Sequence, residues 1–596
     1  MNTYRPPLDD IAFCLEEFAD LPGLIALPDF AELTPDLVTT ILDAAGRFAA
    51  ERLAPLNGIG DRQGSRLENG VVRTPEGFKT AYEEFLAGGW NGVPFDPTHG
   101  GQGLPWSLAA SVQEMWGSAN MAFSLCAVLT QGAIEALSAH GSPQQQEIYL
   151  PPLIAGRWTG TMNLTEPQAG SDLGALTCRA ERSGDHYLIK GQKIFITYGD
   201  HDWAENVVHL VLARTPDAPK GSRGISLFIV PKRMVSPAGE IGAANDLRVV
   251  SLERKLGIHA SPTCVMAYGD KDGAAGYLVG EENRGLEYMF TMMNIARLSI
   301  GIQGLSIAES AYQAARDYAL TRVQGRPPGA TKPGMPIIGH PDVRRMLMTI
   351  RAKRDAVRAL AYFTAGALDR AKRQTEAAQR EESQGLVDLL IPVVKAWSTD
   401  LGCEAASLAI QVHGGVGFIE DTGLAQLYRD ARIAPIYEGT NGIQANDLVG
   451  RKLARDNGAA ARDFIAGIRA SDRDLAAAPG SELAPIRASL AEATATLARC
   501  TDWMVETHGA NPALALAGAT PFLRLFGTVA GGWLMAMAAL AALRRLSERS
   551  GDEGFLKAKL ATARFYADNI LAEADGLAAQ ITRGGESLLA LPAELF

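Results

Sequence analysis

Cysteine is sparse. Six residues, Cys14, Cys126, Cys178, Cys264, Cys403 and Cys500, are scattered over 596 positions, and no two form a C-x-x-C pair. That scatter argues against a zinc site or a disulfide framework and fits a reducing, cytoplasmic setting, with no metal expected. Positive charge is also in deficit. A formal net charge of −11 is a poor field for a nucleic-acid partner, and none is expected. Near the start, Arg5, Asp9, Asp10, Glu16 and Glu17 interrupt any apolar run, so no signal peptide is read there. Long uncharged runs are scarce. Residues 525–543 carry no charge for 19 positions, close to a bilayer-spanning length. Their Ala/Gly content and the flanking Arg524, Arg544 and Arg545 favour a buried helix instead, without stable membrane insertion. There is no heptad run and no repeat of fixed period.

What is present is ordinary globular composition, 47% hydrophobic and 21% charged, in a chain longer than one core. Residues 1–160 read as helices joined by Gly/Pro loops. Thr34-Pro35 and Thr74-Pro75 are helix-start pairs, and Leu37, Ile41, Ala45 and Phe48 share one face of the first helix. Further helical runs cover 106–119 and 122–140. Residues 187–197 alternate with period two, and 207–213 and 225–230 are short β-branched runs, so 161–284 reads as a mostly antiparallel β domain. Helical periodicity returns at Gly285. It predicts helices over 285–322, 341–373, 384–412 and 420–455, with a Pro/Gly loop at 326–340. Residues 456–596 are Ala- and Leu-rich, with breaks at 479–485 and 508–521, and read as an added helical domain. Thirteen Lys/Arg against sixteen Asp/Glu leave that domain acidic. The fold class is α+β.

Five stretches carry chemistry. Tyr437-Glu438-Gly439-Thr440-Asn441-Gly442-Ile443-Gln444 sets a carboxylate in a break between helical runs, where it can reach a cleft as a base. Thr440 and Asn441 are N-cap types for the helix that follows, whose free N–H groups can face an anion. Alone, E-G-T reads as an exposed turn; the other four stretches change that reading. Met162-Asn163-Leu164-Thr165-Glu166-Pro167-Gln168-Ala169-Gly170-Ser171-Asp172 offers hydroxyls and, at Gly170, close backbone approach. In Ile194-Phe195-Ile196-Thr197 an aromatic and a hydroxyl two apart share a strand face, placed to wall a flat ring and bond its edge. Gln411-Val412-His413-Gly414-Gly415-Val416-Gly417 is either a helix C-cap or a close approach to phosphate, with His413 structural. The last runs from Arg316 to Gly325, where a helix-end arginine can neutralise a phosphate.

In this order, TEPQAGSD, KIFIT, QVHGGVGF and YEGTNGIQ resemble the acyl-CoA dehydrogenase family across about residues 35–455. The resemblance implies an N-terminal helical domain (1–160), a central β domain (161–284), a C-terminal four-helix bundle (285–455) and an added helical tail domain (456–596). Tyr4-Arg5-Pro6-Pro7-Leu8, Gly199-Asp200-His201-Asp202, His340-Pro341-Asp342-Val343-Arg344-Arg345 and the tail are similar to one long subgroup, whose substrates include 3-methylmercaptopropionyl-CoA and fatty acyl-CoA thioesters.

The implied cofactor is FAD. Thr165, Gly170, Ser171, Phe195 and Thr197 would lie against it, with Phe195 where many relatives have Trp. Arg322, Gln324, Gln411, Gly414 and Gly415 would reach a neighbouring subunit's FAD, implying a homodimer or dimer of dimers. Thr440 and Asn441 complete the cofactor set. Ser171, Asn294, Arg297, Glu438 and Gly439 would bind substrate, with Asn294 where many relatives have Asp. Glu438 would take the α-proton while the β-hydrogen leaves as hydride to flavin N5, giving the trans-2-enoyl-CoA. The enolate oxygen would be held by the Glu438 N–H and a ribityl hydroxyl, each such donor typically worth about 2.7–4 kcal/mol. Electrons would pass to electron-transferring flavoprotein. Two alternatives are an oxidase using oxygen and a nucleic-acid-associated flavoprotein of the same superfamily, which the acidic tail argues against.

Overall fold

A computed structural model describes residues 4–329 and 334–596; positions 330–333 of the expected 326–340 loop lie outside the described residues. The chain forms two compact units. One comprises Met1–Leu42, Trp106–Glu114 and Ile300–Phe596, and the other Asp43–Pro105 and Met115–Ser299.

The second unit is built on sheet. A hairpin of β1 (Arg66–Glu68) and β2 (Val71–Arg73) precedes β3 (Trp158–Asn163), β4 (Arg179–Ser183), β5 (His186–Thr197), β6 (Asn206–Ala213) and β7 (Ser226–Pro231). The short β8 (Arg233–Val235) and β9 (Ile241–Ala244) follow, then β10 (Leu247–Leu252), β11 (Thr263–Tyr268) and β12 (Ala274–Leu278). Eight of these strands form one sheet in the order β10-β11-β5-β12-β7-β6-β3, with β4 on β5. Every pair is antiparallel except β3 with β6, as the mostly antiparallel expectation requires. β3, β6 and β7 are buried along their whole lengths, which explains the near-continuous apolar runs of β6 and β7. The helix Met121–His140 packs on β3, and Gly160 permits this: a Cβ there would stand 2.4 Å from that of Ala133. Trp203 packs against Tyr82 and Phe123, with ring centroids at 5.1 and 5.4 Å.

Thr34 accepts from the Leu37 N–H and caps the helix Pro35–Phe48 as expected. The buried face of that helix is rotated one residue from the sequence reading. Val38, Leu42 and Ala45 are buried, and Leu37 is exposed. The apolar stripe is wide enough for either face, and packing selects its 38/42/45 edge. Thr74 caps no helix; its hydroxyl donates to Asp202 at 2.8 Å, and the helix begins at Phe78.

The first unit is helical. Pro341–Arg373 and Ala377–His413 pair with each other, and the part of Gly285–Thr321 from Ile300 on, where that helix divides between the units, packs on them through Gly304 against Ser398 and Glu309 on Arg358. The helical stretch over 420–455 is interrupted around Glu438–Gly439, at the break expected between its two helical runs, and comprises Leu424–Ala431, Asn441–Asp447 and a π-helical turn Leu448–Leu453. Left-handed backbone at Glu438 (φ 55°) and Gly439 (φ 79°) makes a continuous helix impossible there. Asp10, Glu114, Glu309, Arg354, Asp355, Arg358 and Lys559 form a buried ionic cluster that ties the N-terminal helix and a tail helix to the bundle. Residues 525–543 lie in Ala519–Glu548, long and apolar enough to cross a membrane, yet 83% of its apolar window is buried inside the protein.

Candidate active site

Glu438 stands in the turn between Leu424–Ala431 and Asn441–Asp447. For a residue with a Cβ, left-handed backbone costs about 1–2 kcal/mol, so the turn needs external support. Four side chains supply it. The Thr440 hydroxyl accepts from the Ile443 N–H at 3.2 Å and caps the next helix. The Gln444 amide, fully buried, donates to the carbonyls of Glu438 and Gly439, each at 3.2 Å. Lys395, fully buried on Ala377–His413, donates to Gly439 O at 2.8 Å and to Asn441 Oδ1 at 2.9 Å. Asn441 Nδ2 donates to Thr399 Oγ1 at 3.0 Å and Asp400 Oδ1 at 2.8 Å. Tyr437 donates its hydroxyl to Gln303, and burial raises its pKa, as does the neighbouring Glu438 carboxylate. Thr440 and Asn441, expected against cofactor, build the turn itself.

At another end of this unit, Arg322 and Gln324 are exposed on the strap leaving Gly285–Thr321, and Gln411, Gly414 and Gly415 are exposed where Ala377–His413 stops. The two ends adjoin: Tyr318, one turn before Arg322, stacks on His413 with centroids 4.1 Å apart. His413 Nδ1 lies 2.8 Å from Ala409 O, which fixes the ring and gives it the structural part expected of it.

In the sheet unit, the 162–172 loop and the end of β5 are bonded together. Ile194 N donates to Thr165 O at 2.9 Å. Glu166, 2% exposed, receives Lys193 Nζ at 2.8 Å, the Thr177 N–H at 2.6 Å and the Cys178 N–H at 3.0 Å. Burial raises this carboxyl, but the Lys193 ammonium and the N–H donors outweigh it and hold the pKa at about 2. Lys193 also donates to Leu164 O at 2.9 Å. Sequence reading passed over Glu166 and Lys193, although both lie inside the quoted stretches. The signal available was a lysine alternating with apolar residues on a buried strand face. The β5–β11 register shifts between Cys264 and Met266, a bulge in β5 at Ile194 and Phe195, which together face Val265. Phe195 there takes φ 60° and is 59% exposed, while Ile196 turns inward at 2%. A bulge of this kind re-aims one side chain. Phe195 is presented outward beside the half-buried Thr197, and Gly170 and Ser171 are exposed, with nothing within 4 Å of a Cβ built at Gly170. An outward aromatic with hydroxyls and an unobstructed glycine fits a flat ring bearing phosphates. Asn294 is half-buried and Arg297 buried on the N-terminal half of Gly285–Thr321, three residues apart and so on one helical face.

Four family models match in order: acyl-CoA dehydrogenase N-terminal domain at 37–157, middle domain at 161–270, C-terminal domain at 283–453, and acetyl-CoA dehydrogenase C-terminal like at 459–592. The chain is 51% identical to 3-methylmercaptopropionyl-CoA dehydrogenase of Ruegeria pomeroyi, covering 98% of this chain and 99% of that protein. It is 35% identical to a butyryl-CoA dehydrogenase of Syntrophomonas wolfei over 100% and 99% of the two. A crystal structure of a Bacillus anthracis acyl-CoA dehydrogenase complexed with FAD shares the fold, with TM-score 0.74 and 21% identity over 98% and 93% of the chains. The chain therefore belongs to the acyl-CoA dehydrogenase family and is an FAD-dependent oxidoreductase that dehydrogenates acyl-CoA thioesters.

Proposed function

We propose that Glu438 is the base that removes the α-proton of the bound acyl thioester. The observation that carries this is the turn itself: a glutamate held in left-handed backbone, its own carbonyl and the next pinned by buried Gln444 and Lys395. Strain maintained by several buried donors marks a functional position. The Glu438 N–H and carboxylate would serve the thioester carbonyl and the α-carbon respectively. FAD, when bound, supplies the acceptor for the β-hydrogen. Thr165, Gly170, Ser171, Phe195 and Thr197 would hold it from the sheet unit, and Arg322, Gln324, Gln411, Gly414 and Gly415 would hold the FAD of a second copy. A homodimer is supported by exposed Phe418 and Ile419 beside those glycines, and sedimentation velocity at twice the chain mass checks it. Asn294 and Arg297 would receive the CoA portion, and electron-transferring flavoprotein would take the electrons.

The substrate is proposed to be 3-methylmercaptopropionyl-CoA or a short fatty acyl-CoA, in a cytoplasmic setting. The full-length identity of 51% to a dehydrogenase named for the former supports this. The test is anaerobic mixing with each thioester while the flavin absorbance is followed. Wild-type protein bleaches. Glu438→Gln, near-isosteric but without basicity, keeps its yellow colour and loses bleaching by about 10²–10⁴-fold or more. Bleaching of the variant at the wild-type rate would place the base elsewhere.

A further inference from the structure

Lys395 lies in the middle of an apolar helical run, 389–397, and is 0% exposed. A buried ammonium is costly, and an apolar side chain in a helix core generally serves stability as well or better. What the ammonium accomplishes here is specific. It donates to Gly439 O at 2.8 Å and to Asn441 Oδ1 at 2.9 Å, one acceptor on each side of Thr440. Asn441 passes this hold back to the same helix through Nδ2, which reaches Ala396 O at 3.1 Å, Thr399 Oγ1 at 3.0 Å and Asp400 Oδ1 at 2.8 Å. Gln444 holds the other side of the turn through the Glu438 and Gly439 carbonyls. The peptide plane joining Gly439 to Thr440 is therefore fixed by a charge-assisted bond from a long, rigid helix. The two residues before that plane, Glu438 and Gly439, take the left-handed conformations that aim the carboxylate.

We infer that Lys395 is a positioning residue for the reaction. Its ammonium, acting through Gly439 O and Asn441, holds the Glu438 turn in the conformation in which the carboxylate meets the α-proton. The inference rests on the reading of Glu438 as the base. Without the ammonium, Gly439 O loses its strongest donor, the left-handed pair relaxes, and the carboxylate and its N–H leave their aligned positions. Misplacement of about 1 Å is enough to cost on the order of 10²-fold in rate.

The experiment uses FAD-loaded full-length Lys395→Met, Lys395→Gln and Glu438→Gln, with every rate expressed per bound flavin. The direct readout is exchange of the α-hydrogens in D2O of a 3-thia-acyl-CoA, which has sulfur at the β position and no hydride to give. Lys395→Met should retain flavin and bind the thioester within about threefold of wild type, while exchange and kcat fall together by roughly 10²-fold. Lys395→Gln, which keeps a donor, should recover part of both, and it stands as the test if the methionine variant does not fold. A residue that only stabilised the fold would lower the unfolding midpoint and flavin content but leave exchange per bound flavin unchanged. That result, or exchange within about threefold of wild type in both lysine variants, overturns the inference. Exchange at the wild-type rate in Glu438→Gln would instead overturn the reading of Glu438 as base, so the two failures are distinguishable.

Discussion

Two side chains expected to act, Phe195 and Glu438, sit on left-handed backbone, at φ 60° and 55°. Both positions carry a conformational cost that glycine would avoid, and both keep a functional side chain instead. This sets a prediction for Phe195→Gly. The ring is largely exposed, so its removal forfeits little burial, and glycine relieves the left-handed strain. Stability of the flavin-free protein should hold or rise by up to about 1 kcal/mol, while FAD retained after gel filtration should drop severalfold. An unchanged flavin content would show that Phe195 does not lie against the cofactor. At this scale the motifs were legible because chemistry dictates residue type: a carboxylate for a base, an aromatic for a ring. Their supports were not. Lys395 looks in sequence like a lone charge in an apolar run and Lys193 like the end of the polar stretch Lys190-Gly191-Gln192, and only the fold shows that their ammonium groups meet Gly439 O and Glu166. The bulge that turns Phe195 outward depends on the β11 partner and leaves no trace in KIFIT itself.

Among elements, the Ala519–Glu548 helix shows what an apolar run conceals. Its burial was legible from composition, but the reason for its glycines was not. Gly527 and Gly531 lie against Trp397 of Ala377–His413: a Cβ at Gly531 would come within 2.6 Å of Trp397 Cη2 and 2.9 Å of the Tyr566 hydroxyl. Gly531→Val should therefore cost about 1–3 kcal/mol through overpacking. Gly576 on Ala574–Ala590 has nothing within 4 Å of its built Cβ, and Gly576→Ala should gain up to about 1 kcal/mol. Chemical unfolding of the two variants followed by tryptophan fluorescence checks the contrast. A tolerated valine at 531 would mean that the helix can withdraw from Trp397. The same dependence on neighbours explains the rotated face of Pro35–Phe48. Periodicity specifies an apolar stripe, whereas the partner surface selects which edge of it is buried. It also separates the break at Glu438–Gly439 from its support: the glycines mark the break in sequence, whereas the Lys395 side chain that holds the turn, 44 and 46 residues from its acceptors, leaves no signal in the helical pattern.

Over the whole molecule, the buried titratable groups assign the two compact units different acid limits. In the sheet unit, burial and the Lys232 ammonium push His201 and His209 down to about 3 from an ordinary 6.5. His201 Nδ1 accepts from the Trp203 N–H at 3.2 Å and its Nε2 lies 2.8 Å from Thr159 Oγ1, so the ring has no site for a second proton without losing a bond. Because the native pKa values are depressed, the unfolded chain binds more protons below pH 6.5. Stability is fully present above that pH and falls as pH drops from 6.5 toward 3, by at most about 1.4 kcal/mol per pH unit for each histidine. Asp200, raised by burial, takes up a proton in the native state and offsets part of this loss. Glu166 adds a second loss between 4.5 and about 2. The helical unit differs. Its Asp10 and Asp355 carboxyls, buried but held low by Lys559, Arg354 and Arg358, carry stability that is lost only as pH falls below about 3.8. Asp369, caught between the Trp106 and Ser107 N–H groups, is raised to about 6 by burial, so acidification from 6 to 3.8 works in that unit's favour. Burial also lowers His413 in the helical unit, a loss that Asp369 offsets, so between pH 7 and 5 the sheet unit should lose more protection than the helical unit. Hydrogen exchange corrected for intrinsic rate, compared peptide by peptide at pH 7 and pH 5, tests this directly. Amides of β3, β6 and β11 should open more readily at pH 5, and His209→Gln, which removes one titrating ring from the core, should narrow the difference. Equal loss across both units, or none in the sheet, would mean that the histidines are protonated in the native state and that their burial does not set the acid limit.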